Sequence, residues 1–286
     1  MLPTPFRPSL EVELEGLARL VGLYDRAGVA GFVALGVFGE ASALSSEERR
    51  ELVAAVAGTC EARRLVVGLT ALDTRAACAE ADDARQAGGS ALRAVMVQVG
   101  TPSPESVIAH MRAVHEAAGV PVVLQHYPIV SGVHLSPEAV VSIVAASPFV
   151  AAVKWEAPPT SLAIAKLARE LDVPVFGGLG GIGLLDELLA GAAGAMTGFS
   201  YPEALVEAVA SFRKGGYAAA RAALAAWLPF INFEAQAEVG LAIRKENLRR
   251  RGVIASAVVR PPSRPLPALL VPIVEQHQGD LAGLLT

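Results

Sequence analysis

Lys154 is the residue whose setting in this sequence points most directly to covalent chemistry. It closes the short apolar run Val150-Ala151-Ala152-Val153 and is followed by Trp155 and Glu156. The other three lysines, Lys166, Lys214 and Lys245, lie in segments that read as helices, where a charged head reaches water. A lysine among Val and Ala loses hydration, which favours a neutral amine able to attack a carbonyl. Two plainer readings stand beside it: a stem lying along apolar surface with its head in solvent, or a pair with Glu156.

Other strand ends offer Gly36-Val37-Phe38-Gly39-Glu40, Thr70, Gln98, Gln125-His126-Tyr127, Gly177-Gly178 and Thr197 to Ser200. Few carboxylates and one histidine stand among them, so no metal site is expected, and no serine, histidine and acid fall at the spacing of a hydrolase triad. Gly178-Leu179-Gly180-Gly181-Ile182-Gly183 is a literal G-x-G-x-x-G between a strand and a helix. It comes late in a long series and lacks an acidic residue ending a following strand to hold a ribose. A nicotinamide site is therefore the third reading, behind close backbone approach to an anion.

The elements that must position these residues are legible as a series. Apolar runs at 31–36, 65–70, 93–98, 121–125, 150–154, 173–177 and 193–198 alternate with helical patterns. Strands that are apolar throughout indicate a parallel sheet covered on both faces. Helix starts are marked by a capping box at Ser45-Ser46-Glu47-Glu48, by Asp73, and by Ser103-Pro104 and Ser136-Pro137. Alternation of this kind gives a (β/α)8 barrel or a doubly wound sheet, and a chain of 286 residues suits one barrel of about 250 residues with an addition. Only seven strands are convincing. The first would have to come from residues 1–5, so it is a stub or the natural chain began earlier. From 202 onward the pattern is helical, with segments 202–214, 217–228, 234–251 and one from 268, so the barrel is expected over 1–214 and a C-terminal helical extension over 215–286.

Over half the residues are hydrophobic, yet no uncharged apolar run is long enough to span a bilayer, so no membrane partner is expected. A net charge of −4 gives no reason to expect nucleic acid, and Arg244-Lys245 with Arg249-Arg250-Arg251 reads as a solvated helix face. Cys60 and Cys78 lack metal-type spacing and suit reduced thiols in the cytoplasm.

Several of these stretches together resemble the dihydrodipicolinate synthase and N-acetylneuraminate lyase family. They are Thr4-Pro5-Phe6, Gly36-Val37-Phe38-Gly39-Glu40, Leu44-Ser45-Ser46-Glu47-Glu48-Arg49, Tyr127-Pro128 with Ser131-Gly132, Val153-Lys154, Gly177-Gly178, and Lys245-Glu246-Asn247-Leu248 with Gly252-Val253-Ile254. The resemblance runs in order over nearly the whole chain. It implies a barrel with a helical extension, a homo-oligomer (dimer or tetramer), and a lysine at 154 that condenses with a 2-oxo acid without metal or organic cofactor.

The departures are equally specific. The family pattern G-T-T-G-E becomes Gly36-Val37-Phe38-Gly39-Glu40, so two hydroxyls that hold the keto-acid carboxylate and relay protons are absent. Y-N-x-P becomes Gln125-His126-Tyr127-Pro128, with glutamine in place of the tyrosine acid/base. The tyrosine pair is replaced around Gln98 and Val99, and an arginine by Val130. Val37, Phe38, Val99 and Val130 should then make the mouth more apolar. The expected catalytic set is Lys154, with Tyr127 and then His126 replacing the proton carrier, although His126 should face the helices. Val37, Phe38, Gln125, Gly178 and Met196 are the expected substrate-binding residues. The expected activity is a class I aldolase or lyase acting on a 2-oxo acid or small carbonyl compound; the rival is a ligand-binding barrel without turnover.

Overall fold

The computed structural model describes residues 1–282. All seven apolar runs form parallel strands, paired in chain order: β1 (Phe32–Ala34), β2 (Leu65–Gly68), β3 (Leu92–Gln98), β4 (Val122–His126), β5 (Val150–Trp155), β6 (Val175–Gly177) and β7 (Gly194–Ala195). The helices are α1 (Leu14–Arg26), α2 (Ser46–Thr59), α3 (Thr74–Gly88), α4 (Pro104–Ala118), α5 (Pro128–Ser131), α6 (Pro137–Ala145), α7 (Thr160–Glu170) and α8 (Leu184–Leu189), with α9 (Pro202–Leu224), α10 (Leu228–Glu234), α11 (Gly240–Arg250) and α12 (Val271–Ala282) after β7. Among the described residues no helix is long and apolar enough to cross a membrane.

The sheet curls into a part-barrel whose edges meet across the first two residues. Leu2 N–H donates to Val33 O on β1 at 2.9 Å, and the Met1 amino group donates to Thr197 O just past β7 at 2.6 Å. Alternation along each strand sorts the side chains into two sets. Leu65, Val67, Val95, Val97, Leu124 and Val153 face outward and pack under the helices, while Val33, Val66, Ala94, Met96, Val123 and Ala152 face inward with Met1. Val99 belongs to the outward set and does not line the mouth as expected, whereas Val130 is exposed on α5, which follows β4.

The predicted caps form. Ser45 and Glu48 make the reciprocal capping box, and the side chains of Asp73, Ser103 and Ser136 each accept a backbone N–H of the following first turn. These caps fix where the helices begin, and hence how far the preceding loops extend over the sheet's carboxyl end.

The helical tail departs from the expected boundaries. α9 continues to Leu224 through a break at Gly215 and Gly216, where φ 67° and ψ −159° at Gly216 is backbone that only glycine adopts freely. α10, with Pro229 in its first turn, fills the gap left between the segments expected at 217–228 and 234–251, and α11 begins at Gly240 instead of 234. More consequential is the burial of α11: Arg244 and Lys245 are fully enclosed, so the solvated basic face is confined to Arg249, Arg250 and Arg251.

Candidate active site

Strand register builds the site. Gln98 of β3 lies opposite Gln125 of β4, Gln125 opposite Lys154 of β5, and Lys154 opposite Phe176 of β6. One residue pair deeper, Met96, Val123 and Ala152 form an apolar floor. The polar layer therefore sits at the carboxyl ends of the strands, directly above that floor.

Lys154 is 1% exposed, and its amine is not surrounded by aliphatic groups alone. The Glu156 carboxylate stands 2.9 Å from Nζ, because residues two apart on a strand share a face. The pairing with Glu156, one of the plainer readings, is thus the arrangement found. The remaining contact is weak: Nζ donates to the Met1 thioether at 3.2 Å.

Glu156 is held from several sides. Gln125 Nε2 donates to Oε2 at 2.7 Å and Leu179 N–H to Oε1 at 3.3 Å. A Cβ on Gly178 would lie 2.1 Å from Oε1, so glycine there makes room for the carboxylate. Its neighbour Gly177 does the same for a second acid, since a Cβ would lie 1.8 Å from Glu187 Oε2. Glu187 is buried and takes one hydrogen bond from Thr160 Oγ1 at 2.7 Å, while its Oε2 lacks a partner among the described residues. Burial above all, with Glu156 and Asp186 adding to it, pushes its carboxyl pKa up.

The expected residues are divided by this geometry. Tyr127, just past β4, is half-buried; burial first, then the charge of Glu156, push its phenol pKa up. Gln98 Nε2 reaches the Tyr127 carbonyl at 3.5 Å. His126 lies on the opposite face, stacked on Trp155 at 4.3 Å and accepting from Leu135 N–H through Nε2 at 2.8 Å. Burial pushes its pKa down, and the structure does not bring it to Lys154. Gln125 is engaged with Glu156, and Met196 packs on the inward cluster.

Val37 and Phe38 open a 3-10 turn, so their amides have no partner within it. Thr4 Oγ1 anchors that turn by donating to Gly39 O at 2.6 Å. In the glycine motif the amides expected to be open are engaged: Leu179 N–H with Glu156, and Gly180 N–H with Thr197 Oγ1 at 2.8 Å.

Fold and site together define an α/β protein with a buried lysine–carboxylate pair at the carboxyl end of a parallel sheet. The chain belongs to the dihydrodipicolinate synthetase family, whose profile matches residues 1–276. It is 31% identical to the L-2-keto-3-deoxyarabonate dehydratase of Azospirillum brasilense over 280 aligned positions, 94% of this chain and 88% of that enzyme. It is 29% identical to the 4-hydroxy-tetrahydrodipicolinate synthase of Methanothrix thermoacetophila over 215 positions, 74% of this chain and 72% of the other. Among solved structures, dihydrodipicolinate synthase from Rhodopseudomonas palustris superposes with a TM-score of 0.90 at 30% identity, covering 98% of this chain and 95% of its own.

Proposed function

We propose that the protein dehydrates a 2-oxo-3-deoxy sugar acid through an imine on Lys154. The supporting observation is the Glu156 carboxylate 2.9 Å from Nζ, a buried acid standing where the expected hydroxyl relay is missing. The likeness to a 2-keto-3-deoxyarabonate dehydratase over most of both chains favours the same substrate class.

Glu156 takes one proton from the Lys154 ammonium, and the free amine adds to C2 of the substrate. The Glu156 proton then leaves with the C2 oxygen as water, giving the iminium and a carboxylate again. That carboxylate removes a proton from C3, and the electrons pass to nitrogen as an enamine. When they return, the C4–O bond breaks and the hydroxyl departs with the Glu156 proton as water. Hydrolysis of the unsaturated imine frees Lys154, so the substrate loses one water overall. Proton transfer of this kind is worth roughly 10²- to 10⁴-fold in rate. Tyr127 donates to a substrate oxygen at the mouth, Gln125 keeps Glu156 aimed, and Val37, Phe38, Gly178 and Met196 line the substrate.

The same reading takes the fold as a (β/α)8 barrel over 1–214 with a helical extension over 215–286, working as a cytoplasmic homo-oligomer. A second reading, binding without turnover, is favoured by the Met1 thioether over Lys154, which must swing away before a substrate enters. A methionine has the rotatable bonds to do so. Incubation with 2-keto-3-deoxyarabonate separates the two: turnover yields a product one water lighter by mass spectrometry, and the rival yields only recovered substrate.

A further inference from the structure

Arg244 of α11 is fully buried, with Nε donating to Glu234 Oε2 at 3.2 Å. Its Nη1 and Nη2 have no hydrogen-bond partner among the described residues. A guanidinium has five N–H donors, so four are left without an acceptor. Glu234 pairs with the charge through Nε alone, and buried donors without an acceptor cost free energy, so the open side of the fork is the place for an anionic guest to be met.

Its position says which anion. The guanidinium carbon lies 4.0 Å from the centre of the Phe38 ring, beside the turn whose Val37 and Phe38 amides are open. A Cβ on Gly198 would come within 2.7 Å of Nη1, and one on Gly180 within 3.9 Å of Nη2. The fork thus lies between the turns that follow β1, β6 and β7, at the same end of the sheet as Lys154. Met1 lies near both cations: its carbonyl oxygen is 3.1 Å from the same Gly198 Cβ position, and its sulfur accepts from Lys154 Nζ. A 2-oxo acid carries its carboxylate on the carbon next to the one that Lys154 attacks.

We propose that Arg244 is the specificity-determining residue for the substrate, taking its carboxylate through Nη1 and Nη2 in place of the hydroxyls absent at Val37 and Phe38. The proposal rests on the Lys154 reading for the identity of the acid. A planar fork matches a carboxylate bidentately, which a lysine cannot reproduce.

Two measurements on the full chain test it. Borohydride trapping compares pyruvate with hydroxyacetone, which offers a ketone but no carboxylate. Arg244→Met should trap pyruvate roughly 10- to 100-fold less than wild type, the loss of one or two charge-assisted hydrogen bonds, with hydroxyacetone trapping unchanged. Arg244→Lys, which keeps charge and most of the packing, should fall between and serves if the methionine variant fails to fold. Titration calorimetry with lactate, which forms no imine, should detect binding to wild type and its loss in both variants. Equal pyruvate preference, or equal lactate binding, in the variants and wild type overturns the proposal, as does absence of lactate binding to wild type. Failure of every carbonyl to trap on wild type, with lactate binding lost only in the variants, instead overturns the imine reading and leaves the carboxylate site standing.

Discussion

Two buried lysine–glutamate pairs lie among the described residues, and they differ in how completely their atoms are used. In the first, Lys245 of α11 meets Glu40 and also donates to Val258 O at 3.0 Å, with the Phe6 ring 4.2 Å beneath it. Glu40 in turn accepts Arg260 N–H at 2.7 Å. In the second, Lys154 has Glu156 and a thioether. Burial and opposite charge are common to both, so neither marks chemistry. The difference is that every strong donor and acceptor of the first pair is tied to a fixed backbone or ring, whereas the amine of the second keeps a weak contact that a carbonyl can displace. Lys245–Glu40 joins the helical tail to the turn after β1, and Lys154–Glu156 is the pair to which the proposed function assigns the reaction.

The largest effect expected from breaking this contrast is at Glu156. Glu156→Gln keeps the shape but can accept from only one of Gln125 and Leu179, and it removes the proton carrier, so kcat per folded molecule should fall roughly 10²- to 10⁴-fold, well beyond the loss of folded protein that breaking the pair causes. An equal loss of kcat and folded protein would make the second pair structural like the first. Lys245→Met should do the reverse: it leaves Glu40 buried with one partner fewer and should cost about 3–5 kcal/mol in urea unfolding, with kcat per folded molecule unchanged. A drop in kcat without loss of stability would place Lys245 in the reaction.

A smaller effect sharpens the comparison of the acids. The Glu187 pKa is raised from an ordinary 4.5, so above that pH the unfolded chain ionises there before the folded one does. The unfolded state then binds fewer protons, and wild-type stability should fall as pH rises from about 4.5 through the folded pKa. Glu187→Gln removes that slope while keeping an acceptor for Thr160, so the variant should gain on wild type as pH rises. Parallel stability–pH curves for the two would mean that Glu187 ionises normally.

What the sequence disclosed followed periodicity. Seven apolar runs became seven strands and the marked caps became caps, because both are local properties of the chain. The Lys154 position was legible for the same reason. Glu156 was visible only as a partner, although residues two apart on a strand share a face, which sets it beside the lysine. Gly177 and Gly178 carried a further signal, since adjacent glycines at a strand end allow close approach on both faces, here by Glu187 and Glu156. Arg244 and Lys245 gave no such sign. In a helix rich in charge all round, which side is buried is decided by the elements packed on it, and periodicity does not disclose that.

The most direct test of the central claim is borohydride reduction of the full-length protein with pyruvate, followed by peptide mass spectrometry. The account predicts one pyruvate-derived secondary amine, on Lys154, and none in Lys154→Met. Recovery of unmodified Lys154, or an adduct that persists in Lys154→Met, would contradict it.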